Sequence, residues 1–204
     1  MTSNHSSSVP NDSRYIPFTQ QPSHCVPTCI QMVLYRNSIP LRSAEEIGYH
    51  LGLVVRPEQS NLFSNVRTAV DMPPAGYGIQ IHLPEYDPNA AFARMGIPLS
   101  FRVEPIKGFS SAEELLESLR AHERNDHDVL VAFNLGALID DPRLSHAHHA
   151  CVFDRIIGGR VRLVDPSFYA PKWRIFDAEQ LFVAMQKHVS SDWGGIWLLT
   201  KTSS

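Results

Sequence analysis

A chain of 204 residues, 43% apolar and 19% charged, is long enough for one domain with a sizeable core and has the make-up of an ordinary globular protein. Its formal charge of −3 gives nucleic acid or an anionic membrane none of the basic surface they favour, so neither is expected as a partner. No apolar run approaches membrane-spanning length.

Residues 1–14 are Ser/Asn-rich and are expected to form a disordered tail ahead of a single domain over 15–204. This start lacks the basic and apolar stretches of a secretory signal, and the three cysteines, an odd and small number, argue against a disulfide framework. A reducing, cytoplasmic setting is expected, although a Ser/Asn-rich start also serves specialised secretion of an effector. After the turn-like stretch Gln20-Gln21-Pro22-Ser23-His24-Cys25, apolar Val26, Cys29, Ile30 and Val33 recur at helical spacing. Pro27 suits the first turn of that helix, which should stop before Pro40. Ser43-Ala44-Glu45-Glu46 has capping-box spacing and opens a second helix. A helix is entertained near 61–70, a short one over 87–95, and a strand over 99–105. Ser111-Ala112-Glu113-Glu114 opens another helix, with Leu115, Leu116 and Leu119 on its buried face. Residues 129–134 read as a strand and 135–145 as a loop. Residues 149–157 and 160–164 form a hairpin about Gly158-Gly159; a helix over 177–187 and a strand over 196–200 close the chain. Helices first and strands later make this an α+β fold.

Three features bear on chemistry. Cys25 stands at a helix entrance, where unpaired N–H groups and partial positive charge favour thiolate, the attacking species in acyl transfer. His149 begins one strand of the hairpin and Asp165 ends the other, so the two should meet, with the aspartate fixing the ring tautomer. Gln20, with Gln21 beside it, precedes the cysteine, and an amide N–H there would join the Cys25 backbone N–H in stabilising an oxyanion.

The run Gln20…Cys25-Val26-Pro27-Thr28-Cys29-Ile30-Gln31-Met32-Val33-Leu34, a later histidine opening an apolar strand, and then Asp165-Pro166 resemble papain-like cysteine peptidases, in the style of the bacteriocin-leader peptidases. Residues 129–134, His149 and the stretch from Asp165 to Trp173 also look like phytochelatin synthase. About half the chain is covered; residues 56–106 resemble nothing we can name. The resemblance implies a papain-like α+β fold, its N-terminal helical part carrying the nucleophile and packed on a C-terminal antiparallel sheet. It also implies a Cys25–His149–Asp165 triad with Gln20 as oxyanion donor, no cofactor, and a peptide or a small amide or thioester as substrate. Three departures stand out: Val26 where the family has glycine, His148 and Ala150 around the histidine, and a glutamine one residue too close to the cysteine, which leaves Gln20 and Gln21 both open. With water as acceptor the enzyme is a peptidase or amidase; with an amine or thiol it is an acyl or peptidyl transferase. A non-catalytic binding domain of the same fold is the third reading.

The run from Ser145 to Cys151 invites a zinc site. In an extended strand, however, His146 and His148 face away from His149 and Cys151, so four ligands from this run would not converge. Cys29, one turn after Cys25, reads as a small core residue, and His24 as a loop residue.

Overall fold

The computed structural model describes residues 10–202. Six strands make one antiparallel sheet: β3 (Leu99–Pro105), β4 (Asp128–Asn134), β5 (His148–Ile157), β6 (Arg160–Val164), β7 (Trp173–Phe176) and β8 (Gly195–Lys201), in the spatial order β3-β8-β4-β5-β6-β7. The preceding β1 (Val54–Val55) and β2 (Arg67–Thr68) pair in parallel as a separate two-stranded ribbon.

The central strands are apolar on both faces, and that dictates the layering. In β4, Leu130 and Ala132 join one core cluster while Val129, Val131 and Phe133 join another. In β5, Ala150 and Val152 face the first cluster, Cys151 and Phe153 the second. Successive side chains on a strand point to opposite faces, so such a run stays dry only if both faces are covered. The first face is covered by α1 (Cys25–Arg36), α2 (Ala44–His50) and α3 (Pro88–Met95); the second by α4 (Ala112–Arg124), α5 (Leu135–Ile139) and α6 (Ala178–Gln186). The expected α+β fold, with the Cys25 helix packed on an antiparallel sheet, is observed, and it carries a second helical layer that the sequence reading did not anticipate.

Helix starts follow the expected chemistry. The side chains of Ser43, Asp87 and Ser111 accept from the backbone N–H three residues on, which fixes the first turns of α2, α3 and α4. Two expectations are corrected. No helix spans 61–70: Pro57–Leu62 is a 3₁₀ turn, and β2 follows. Leu62 is 51% and Val70 85% exposed, so a helix there would bury no apolar stripe. The segment read as a loop over 135–145 contains α5, which Asn134 caps by accepting from the Ala137 N–H at 2.9 Å.

Of the expected tail, residues 1–9 lie outside the described residues. Residues 12–14 are fastened to the sheet. Asp12 pairs with Arg162 at 3.0 Å and Arg155 at 3.2 Å, Trp173 Nε1–H donates to Ser13 Oγ, and the Arg14 N–H donates to Asp154 at 2.8 Å. The packed chain therefore reaches back at least to Asp12, three residues before the expected boundary. Among the described residues, no helix is long and apolar enough to cross a membrane.

Candidate active site

Cys25 is the first residue of α1, preceded by His24 at the N-cap position. The His24 side chain does not cap the helix; its Nδ1–H donates to Pro22 O at 2.7 Å and its ring stacks on Phe63. Burial lowers the His24 pKa, so this neighbour adds no positive charge at neutral pH. Burial by itself would raise the Cys25 thiol. A hydrogen bond and attraction from His149, with backbone hydrogen bonds at Ala150 and Val26, outweigh it and leave the thiol more acidic than usual.

His149 Nε2–H donates to Asp165 Oδ1 at 2.8 Å, with both residues buried. The hairpin alone does not bring them together. Near the turn, Ile157 pairs with Arg160, Ile156 with Val161 and Arg155 with Arg162. Continued unbroken, that register would set Asp165 across from Val152, on the opposite face from His149. A bulge at Asp154 moves the register by one, so Phe153 pairs with Leu163 and Val152 with Val164. Asp165 then falls across from Cys151, diagonal to His149 on the same face. Asp154 itself is fully buried and accepts from Arg162 Nε–H at 2.6 Å and the Arg14 N–H at 2.8 Å, which holds the bulge.

The Asp165 carboxylate also accepts from the Ser167 N–H at 2.8 Å and from Arg174 at 3.0 Å. Burial opposes its charge, but these donors and His149 hold its pKa down at about 2. For His149, burial disfavours the charged ring. The sulfur of Cys151, the Asp165 carboxylate and the sulfur of Cys25 outweigh that and raise its pKa well above the usual value. Arg174 went unread in the sequence because β7, four residues of mixed exposure, was not recognised as a strand. A basic residue shortly after Asp165-Pro166 is the only signal it offered.

Gln20 and Gln21 separate clearly. The Gln21 side chain is exposed, whereas Gln20 Oε1 is buried without a hydrogen-bond partner among the described residues. The Gln20 N–H donates to Pro166 O at 2.9 Å, and Lys172 Nζ reaches Phe18 O, Pro166 O and Ser167 O, stapling this segment to the loop after Asp165. Cys25 and His149 line a cavity of about 260 Å³; Gln20 is not on its wall.

His149, Cys151 and Asp165 bring an imidazole nitrogen, a sulfur and a carboxylate oxygen within 4.8 Å of one another, a donor set suited in kind to zinc. These ligands come from two adjacent strands rather than from the His146–Cys151 run alone. Arg174 beside the carboxylate, and burial that raises the Cys151 pKa to about 12, both work against a cation there. Cys29 is buried, its thiol donating to Ala150 O at 3.5 Å, as a core residue would.

No protein-family description and no curated protein matches the chain. Among solved structures, it is similar to the crystal structure of a Bacillus anthracis protein proposed to be a C39-like peptidase. The likeness covers 93% of this chain and 96% of that one, with a TM-score of 0.52 and 17% identity. The chain shares that protein's fold, a mixed arrangement of helices and antiparallel sheet with the cysteine helix ahead of the sheet.

Proposed function

We propose that the chain is a thiol-dependent acyl-transfer enzyme, a cysteine peptidase or amidase, in which Cys25 is the nucleophile, His149 the proton carrier and Asp165 the residue that orients the ring. The observation that carries this reading is one imidazole that is bonded to a buried carboxylate and shares a cavity wall with a cysteine at a helix tip, whose thiol it makes more acidic. Opposite pKa displacements in Cys25 and His149 favour a thiolate–imidazolium pair near neutral pH.

In the proposed reaction the Cys25 sulfur forms a bond to the carbonyl carbon of an amide, and the carbonyl oxygen becomes an oxyanion. Gln20 and the Cys25 N–H stabilise that oxygen. The C–N bond breaks as His149 gives its proton to the departing amine, leaving a thioester on Cys25. Water then attacks the thioester, His149 takes a proton from it, the C–S bond breaks and the thiolate returns. An amine or thiol replacing water turns the same cycle into transfer. The departures at Val26, His148 and Ala150 weigh less against catalysis than their sequence positions suggest, because all three residues lie on the cavity wall.

An activated ester tests the acylation step. With p-nitrophenyl acetate, the wild-type chain should release a burst of one nitrophenolate per molecule and carry an acetyl group on Cys25 by mass spectrometry. Cys25→Ser should show neither. Acetylation spread over lysines, with none on Cys25, would sink the proposal.

A further inference from the structure

The surface that the cavity beside Cys25 presents to solvent is mostly apolar, and its wall holds no Asp, Glu, Lys or Arg among the described residues. The hydrocarbon comes from separate segments: Val26 on α1, Ile81 in the stretch before α3, Ala132 on β4 and Trp197 on β8. Several polar groups of the wall are engaged within the protein. Trp197 Nε1–H donates to Trp193 O at 2.7 Å, and the Tyr77 hydroxyl lies 3.0 Å from Val70 O and 3.2 Å from Ala69 O. His188 Nδ1 lies 3.0 Å from Ser190 O, and His149 Nε2–H donates to Asp165. Burial holds the His148 pKa down to about 4 and lowers that of His188, so neither ring carries charge at neutral pH. The charge that His149 gains has the Asp165 carboxylate beside it.

Resting on the acyl-transfer reading, we infer that this cavity receives an uncharged hydrocarbon group of the substrate, the side chain or acyl chain next to the carbonyl that Cys25 attacks. The site then selects substrates by the length of that group and by its lack of charge. A hydrocarbon chain entering the cavity removes its own surface and that of the wall from water, and the gain grows with each methylene buried. A hydrogen or a methyl group at the same position would leave most of the roughly 260 Å³ unfilled. A charged group of either sign would lose its water there. A cation would meet no carboxylate on the wall, and an anion no lysine or arginine.

The test uses the full chain carrying Cys25→Ala, in which no thioester forms, and follows tryptophan fluorescence, to which Trp193 and Trp197 on the wall contribute. It is run at pH 8, where an ordinary histidine is uncharged. The probes are unreactive alcohols: 1-butanol, 1-hexanol, 6-amino-1-hexanol as the cation and 6-hydroxyhexanoate as the anion. 1-Hexanol should bind about tenfold more tightly than 1-butanol, and at least about tenfold more tightly than either charged probe. In the wild type, 1-hexanol at about ten times its Kd should slow iodoacetamide labelling of Cys25 about tenfold, which places the bound chain beside the sulfur. Equal binding of the two neutral alcohols, equal binding of a charged probe, no saturable binding of 1-hexanol, or labelling of Cys25 that 1-hexanol leaves unchanged overturns the inference. Neither readout needs a working triad, whose own failure is read separately as absent acylation of Cys25 by p-nitrophenyl acetate in the wild-type chain.

Discussion

Asp165 has donors on both oxygens, from His149 and Ser167 on one and Arg174 on the other, and this arrangement fixes the ring that shares a cavity wall with Cys25. Asp165→Asn keeps the shape but replaces a charged acceptor with an amide that cannot hold the same tautomer. Cys25 acylation in this variant should fall roughly 10²-fold or more while the fold persists. The same residue leaves a mark on stability. A carboxyl held at about 2 against an ordinary 3.8 contributes roughly 2 kcal/mol. Because the folded value is the lower one, that contribution is present above the ordinary value and is lost as pH falls from 3.8 towards 2. Urea unfolding between pH 5 and pH 2.5 should therefore show a smaller loss for Asp165→Asn than for the wild type. Of the two neighbouring glutamines, the proposal gives the oxyanion role to Gln20. Gln20→Ala should slow acylation of Cys25 roughly 10²-fold and Gln21→Ala should leave it within about twofold, read by the burst rate. The reverse order would move the role to Gln21.

At the scale of elements, the site depends on a single irregularity. The hairpin β5–β6 was legible from its Gly158-Gly159 turn and its apolar strands, yet an unbroken hairpin would send Asp165 to the wrong face. No residue in the sequence announces the bulge at Asp154; the extra residue makes it, and a fully buried carboxylate accepting from Arg162 and the Arg14 N–H braces it. Asp154→Ala keeps the residue count and should retain Cys25 acylation in the folded fraction, while costing about 3 kcal/mol in urea unfolding through the poorly paired Arg162. Deleting residue 154 removes the bulge and should abolish acylation. Retained acylation in the deletion chain would contradict the register argument. Helices with strong caps, at Ser43, Asp87 and Ser111, were legible for the same local reasons that form them. The short α5 and β7 were not. Each is five residues or fewer, and what fixes them, the Asn134 cap and pairing with β6, is not visible as periodicity.

Across the whole molecule, two helical layers enclose the sheet and a segment before Tyr15 ties onto it, so charge pairs at the N-terminus brace the same strands that carry His149 and Asp165. The sequence made the three principal residues readable because each sits where local chemistry is distinctive: a helix tip, a strand start, an Asp-Pro strand end. Their convergence, the supporting Arg174 and the imidazole-lined cavity depend on contacts between distant segments. The measurement closest to the centre of the account is the pH dependence of iodoacetamide labelling at Cys25 in the wild type and in His149→Ala. The account predicts rapid wild-type labelling that persists below the ordinary cysteine range, and an upward-shifted profile in the variant that is at least about tenfold slower at pH 7. Superimposable profiles, both rising only where a free thiol ionises, would contradict it.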